Sequence, residues 1–540
     1  MSPGRYSLLN APWIPVRWVP PAEGSATDDL PEHVGFAELL RRAHEIAGLA
    51  VVDPPAHSAL LRVLYALTVR VTGLDRVDTS EDDWADRRQQ VWEDGRLPVD
   101  GIAEYADRYA HRFLAFDPEG GRPWMQDPRL EKQCDPAKTA GVNKLVVTRP
   151  AGNNHAWFRH NSDAKPDLPT VSEAVLNLLV WHYWGPSGRC SAREVDGEKT
   201  ASATAGPLRT ALSYHPEGET LFETLLAGLV PPDPRDRLDE DYCPWELAEL
   251  PDPAAVPREP VGPCSRLTCR SQHALLLVPD DDSRDDHGTP TLVRDAYITW
   301  GNRAGRMARD DDFLIWQISQ QGNRYPRPAD SRRALWRDLD ALLLAEPGGS
   351  ARAKRPKVFD SAAEMPEEVE LRVRALGFEQ DGQAKDTQFV DGSTPPVLGF
   401  VEERLPQIAY PVAELKELGE RYGFRMDRAL KRAWKTYMDD PKGDADAWTT
   451  PAKARYWPAA EDQFWAVFRE LSRDPARIDT GFDFEGARRA FLRLAENAYD
   501  EVTRSVTGSQ RGAKAVFEAR VGLRLPSGNR PTQGLTADRS

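Results

Sequence analysis

Near Pro406 the sequence changes periodicity, and that change sets the architecture. Four stretches follow, at 415–438, 459–471, 485–506 and 511–520, in which apolar residues recur at helical spacing. Each stretch carries an apolar stripe that a helix must bury, and four such stripes can be buried against one another. Phe464, Val467, Phe468 and Leu471 have the spacing of a bundle core. The pattern predicts an all-α four-helix bundle over residues 401–540, with a loose tail from Ser527. Residues 1–400 have a different character, alternating short strands, helices and proline-containing turns. The expected fold class is therefore α+β: a large mixed N-terminal domain (1–400) with short sheets and helices, followed by the bundle.

Within the first domain, residues 6–16 read as a hairpin, turning at 10–12, that tucks Trp13 into the core. Residues 35–50 place Leu39, Leu40, Ala43 and Ile46 on one helical face, and 56–72 form a longer apolar helix. The block 82–113 is helical with Trp84 and Trp92 as anchors, 122–126 is extended, and helices cover 172–183 and 219–229. Residues 231–263, rich in proline and acid, predict a solvated surface excursion. Strands are expected at 266–278 and 291–300, and an amphipathic helix at 331–344. A strand at 369–378 should deliver a polar hairpin tip at 379–388.

The formal net charge is −15, but it is unevenly spread. Residues 401–540 hold 24 Lys+Arg against 22 Asp+Glu, so the surplus of acid lies in the first domain. Net charge governs solubility and steering rather than local recognition. It argues against a purely electrostatic DNA-coating protein, not against one that touches DNA through a few shaped loops. The five cysteines (Cys134, Cys190, Cys243, Cys264, Cys269) are scattered and form no Cys-x-x-Cys pair. Neither a disulfide framework nor a structural zinc site is expected, and no cofactor is implied. No apolar run approaches a membrane span, and the N-terminal residues lack the apolar core of a signal peptide, so a cytoplasmic location is expected.

Residues 152–161 read Gly-Asn-Asn-His-Ala-Trp-Phe-Arg-His-Asn. Amides, imidazoles, an arginine and two adjacent rings without periodicity suit a loop that holds or parts nucleic-acid bases. The plainer alternative is that Trp157 and Phe158 are buried while the amides satisfy turns. The helix over 172–183 then closes on Gly185-Pro186-Ser187-Gly188-Arg189, where a backbone without bulky side chains could approach base edges. A rival reading is a metal-dependent nuclease or hydrolase using His155, His160 or His182. Against it, the chain holds no His-Glu-x-x-His and no Gly-x-Ser-x-Gly.

Taken together, these residues resemble the CasA family, the large subunit of the type I-E CRISPR interference complex (Cascade). The resemblance is carried by Leu8-Leu-Asn-Ala-Pro-Trp-Ile-Pro-Val16, Asn153-Asn-His-Ala-Trp-Phe158 and Gly185-Pro-Ser-Gly-Arg189. It continues through Glu219-Thr-Leu-Phe-Glu-Thr-Leu225, Gly377-Phe378 with Gln383-Ala384, and the terminal bundle, in matching order. It implies a non-catalytic subunit that reads the protospacer-adjacent motif (PAM) of duplex DNA from the minor groove. It also implies wedging of the strands so that guide RNA can pair, and help in recruiting a separate helicase–nuclease. The implied partners are the guide-RNA-containing backbone, small and guide-end subunits, target duplex DNA and that effector. By the same resemblance, Gly185, Pro186, Ser187, Gly188 and Arg189 form the glycine loop, and Gln383 and Ala384 form the wedge. Asn154, His155, Trp157, Phe158, Arg159 and Asn161 fall on the loop near the guide's 5′ end. Residues 266–273 contain no lysine, so the family's basic finger falls on Arg270 or His273.

Overall fold

A computed structural model of the chain describes residues 5–20, 30–76, 81–117, 119–149, 165–303, 310–319, 321–345, 353–380, 386–440, 443–473 and 484–524. It divides into two units, residues 1–332 with 348–399, and residues 333–347 with 400–540.

The Pro54–Thr72 helix is the axis of the first unit. Proline at its first two positions presets the backbone for a helix start. Every residue in it except Arg70 is buried, so it must be covered on all sides. The Val171–Trp184, Pro263–Thr268 and Leu221–Ala227 helices and the Arg372–Gln380 strand do this. Arg62, in the middle of this helix, needs a partner once buried. Its guanidinium grips Asp311 at 2.8 and 3.0 Å, and Arg270 donates to the same carboxylate. The paired strands around this axis are short and antiparallel. One sheet orders His33–Val34, Ile14–Trp18 and Ile46–Leu49; another orders Asp386–Pro396, Arg372–Gln380 and Leu212–Glu217. Two further pairs are Gly188–Val195 with Glu198–Ala203, and His273–Pro279 with Val293–Trp300.

Several local expectations change. The hairpin over 6–16 does not form, because Ser7 bridges Leu114 while Ile14–Trp18 pairs elsewhere. Trp13 is nonetheless fully buried, its indole N–H donating to the Leu8 carbonyl at 2.9 Å. Residues 35–50 split into the Phe36–Arg41 helix and the Ile46–Leu49 strand. The expected strand at 266–278 is a helix, Pro263–Thr268, followed by a shorter strand. The 231–263 segment is a surface excursion only in part: residues 233–235, 237, 239 and 240 are exposed, while its middle turns inward. Cys243 and Trp245 are buried, and Trp245 lies 5.7 Å from Trp124. Two of its acids are taken by buried or half-buried partners. Glu246 accepts from Arg70 Nε and Nη2 at 2.9 and 2.8 Å, and Asp241 accepts the Cys264 and Ser265 N–H groups at 2.9 Å. Acidic composition predicts solvation only when no buried donor is waiting.

The second unit contains the Pro406–Met438, Asp446–Arg473, Phe484–Thr503 and Gln510–Arg520 helices. The fold is thus a mixed region of helices and small sheets with an all-helical C-terminal region. The helix expected at 331–344 is instead a 3-10 turn, Leu335–Asp338, and a short helix, Leu339–Leu343. Trp336 explains why this segment belongs to the bundle. It is fully buried, stacks on Phe464 at 5.1 Å, and is flanked by Arg337 bonded to Glu420 at 2.7 and 3.0 Å.

Candidate nucleic-acid interface

The Val171–Trp184 helix starts where the Thr170 hydroxyl accepts the Glu173 N–H. It ends at Gly185, whose N–H donates to the Trp181 carbonyl at 3.1 Å. Gly185 is buried, and a Cβ there would lie 2.5 Å from His273 Cε1 and from the Trp181 carbonyl. Glycine is needed at 185 for packing, not for access to a ligand. Pro186, half-buried, cannot continue the helix, and its carbonyl accepts from His273 Nε2 at 3.1 Å. Ser187, Gly188 and Arg189 are exposed. Gly188 has φ +117° and open space around its missing side chain. The two glycines therefore differ: one seats the loop, and the other leaves bare backbone at its tip.

From Gly188 the chain runs into a hairpin turned by Asp196 and Gly197, both at positive φ (53° and 77°) as a two-residue turn of this kind requires. Gly188 pairs with Ala203 and Arg189 with Ser202. The hairpin is fastened by Arg193, which is fully buried. It donates to Asp127 at 2.7 Å, Gln133 at 2.8 Å and the Trp300 carbonyl at 3.1 Å. Sequence reasoning missed both features; the Asp-Gly pair was the available signal for the turn.

Both candidates for the basic finger lie inside the first unit. Arg270 is buried and spends its guanidinium on Asp311 and the Asp310 carbonyl. His273 is buried beneath the loop, edge-on to Trp181 at 5.5 Å. Neither presents a charge to solvent. The exposed cation next to the loop tip is Arg189. His182 also lies inside: its Nε2 donates to the Met125 carbonyl at 2.8 Å, and Nδ1 is 2.7 Å from Ser271 Oγ. Among the described residues, no group of three His, Cys, Asp or Glu could hold a metal.

Burial lowers both His182 and His273 from 6.5 to about 4. Between those values the unfolded chain binds more protons than the folded one, so stability falls as pH drops from about 6.5 towards 4. Thermal melts should show a lower Tm at pH 5 than at pH 7, with a shallower pH slope in His273→Gln. An equal slope in the variant would remove His273 from the explanation.

The wedge positions Gln383 and Ala384 lie outside the described residues, as do Asn154, His155, Trp157, Phe158, Arg159, His160 and Asn161. The ladder on either side of the expected wedge positions is described. Arg372–Gln380 pairs with Asp386–Pro396 through Gly377↔Val390, Phe378↔Phe389 and Glu379↔Gln388. Its register shifts between Glu379 and Gln380, and the Phe378 and Phe389 rings lie 5.2 Å apart. Among the described residues, no helix is long and apolar enough to cross a membrane.

The family model for CRISPR-associated protein Cse1 matches residues 7–499. A CRISPR-associated CasA/Cse1 protein from Thermus thermophilus is 27% identical over 530 residues, covering 95% of each chain. A chain solved in a CRISPR RNA-guided surveillance complex is 36% identical, with a TM-score of 0.83 over 96% of this chain and 100% of that one. Thermobifida fusca Cse1, at 21% identity, shares the fold with a TM-score of 0.71 over 96% of this chain and 98% of its own. A match of that extent, in sequence and in fold, leaves one assignment: the chain belongs to the CRISPR-associated Cse1 (CasA) family.

Proposed function

We propose that this chain is the large, non-catalytic subunit of a type I-E CRISPR RNA-guided surveillance complex (Cascade). In this reading it works in the cytoplasm beside guide-RNA-bearing backbone, small and guide-end subunits. It reads the PAM of foreign duplex DNA from the minor groove, wedges the duplex open to start the R-loop, and helps recruit the helicase–nuclease. The observation that carries this reading is the exposed, side-chain-free backbone at Gly188, seated on a buried Gly185–His273 contact. The end-to-end likeness to a chain of a surveillance complex supports it.

The chemistry follows from the groove. Minor-groove edges separate A·T from G·C but little else, so a reader made of backbone and a few polar tips tolerates several related motifs. Unstacking a step costs a few kcal/mol. Exchanging duplex for guide heteroduplex is close to balanced, so protein contacts can tip it. We assign the wedge to Gln383 and Ala384, the guide-side loop to residues 154–161, and the cation beside the glycine loop to Arg189 rather than Arg270 or His273. The nuclease alternative is weakened at His182, whose two ring nitrogens both have partners inside the protein.

The test is photocrosslinking in the assembled complex, with a photoreactive base placed in the motif of a duplex target. Adducts are expected within residues 152–189 and 377–388. Adducts confined to other parts of the chain, or to other subunits, would end this reading.

A further inference from the structure

A second cation is held beside the Gly188 loop without a counter-charge. The one-turn helix Val142–Leu145 buries Val142, Asn143 and Leu145, and Lys144 is its one half-exposed side chain. Two bonds clamp this turn to the Val171–Trp184 helix. The Trp181 indole N–H donates to the Leu145 carbonyl at 2.9 Å, and the Val147 N–H donates to the Asn177 amide oxygen at 3.0 Å. Lys144 Nζ lies 6.0 Å from the centre of the Trp181 ring. That same ring meets His273 at 5.5 Å, and His273 donates to the Pro186 carbonyl. Trp181 thus joins the lysine to the seat of the loop.

Among the described residues, neither a carboxylate nor any other acceptor is bonded to the Lys144 ammonium. Its ring contact stands at the outer limit of a cation–π interaction, about 6 Å. An ammonium drawn partly out of water without a partner is destabilised. Burial accordingly lowers the proton affinity of Lys144, with the Cys190 sulfur, in the strand that begins at Gly188, acting against it. The surroundings are cationic as well. Burial lowers His273 first, and Lys144 and Arg209 add to that. Arg189, exposed at the loop, has no acid partner among the described residues. A chain of net charge −15 therefore keeps this one loop flanked by cations. The missing complement is an anion that arrives from solvent. A duplex whose groove is entered by bare backbone at Gly188 carries such anions past the loop, because phosphates line both edges of the groove.

We propose that Lys144 binds a backbone phosphate of the duplex whose groove the Gly188 loop enters. The inference rests on the reading of Gly188 as a DNA-facing tip. A lysine is a point charge, and a phosphate contact sets register and orientation without reading sequence. Lys144 then adds affinity equally on every motif, while discrimination stays with the loop.

The assembled complex is titrated with two duplex targets that differ only in the motif, from about 50 to 200 mM KCl. Each neutralised phosphate releases counterions, so losing one contact makes the slope of log K against log[salt] shallower by about 0.9. Lys144→Met keeps the stem and removes the charge. It should weaken binding about three- to tenfold near 0.1 M KCl, by the same factor on both motifs, with that shallower slope. Lys144→Arg keeps the charge and should keep the parent slope. A poorly folded variant lowers the active fraction without changing the slope, so the readout survives a stability defect. Gly188→Asp, measured alongside, tests the reading of the loop separately. An unchanged slope in Lys144→Met, or a loss confined to one motif, overturns the inference even where Gly188→Asp weakens duplex binding as expected. If Gly188→Asp has no effect while the Lys144→Met slope is shallower, the reading of the loop falls and the phosphate contact stands.

Discussion

Gly188→Asp is expected to weaken binding of the assembled complex to a duplex target by about 10- to 100-fold, while pairing of the guide with a single-stranded target is unchanged. Two effects act together. The backbone at 188 has φ +117°, which side-chain-bearing residues rarely adopt. Holding one there costs on the order of 1–3 kcal/mol, and each 1.4 kcal/mol is tenfold in affinity. The carboxylate would also face phosphates at the loop tip, which is exposed and has nothing within 4 Å of the new Cβ. Gly188→Ala separates the two, because it carries the strain without the charge and should lose less. Gel-shift titrations of the assembled complex with duplex and single-stranded targets provide the check. Equal affinity of variant and parent for duplex would remove the loop tip from DNA recognition. Adding Gln383→Ala should deepen the duplex-specific loss, since the wedge proposed there would act only where strands must be parted.

Asp311→Asn should cost about 3–5 kcal/mol of stability, the usual loss when one partner of a buried ion pair is removed. Asp311 is buried between Arg62 and Arg270 and also accepts the Phe313 N–H at 2.9 Å. Burial alone would push its carboxyl up, but the two guanidiniums outweigh it and hold it below the usual carboxylate range. A depressed carboxylate contributes stability above its unfolded value and loses it as pH falls through the folded value. The amide leaves two buried cations without a counter-charge at any pH. In urea, the midpoint of the first unit's transition should fall with little change in slope. A loss below about 1 kcal/mol, the scale of an exposed pair, would mean that water reaches the site.

These two sites differ in how far a sequence reader can see them. The loop was legible because Gly185-Pro-Ser-Gly-Arg189 ends an apolar helix with residues that cannot continue it. What each glycine does was not legible. Gly185 is demanded by His273, and Gly188 by its own backbone angle at the head of a hairpin. The surroundings of the basic-finger candidates were hidden for the same reason. Arg270 looks available in sequence, but Asp311 is 41 residues away and waits at the centre of the core.

Local periodicity determined the C-terminal helices, the Pro54–Thr72 helix and the 372–396 hairpin, because an apolar stripe or a polar tip between apolar flanks is a property of neighbouring residues. Tertiary structure alone decided which polar groups are buried and with whom. It took the acids at 241 and 246 out of solvent, brought Trp336 to Phe464, and left Lys144 beside Trp181 with no carboxylate among the described residues. A charge's fate depends on partners tens to hundreds of residues away, and no periodicity within one segment reports them.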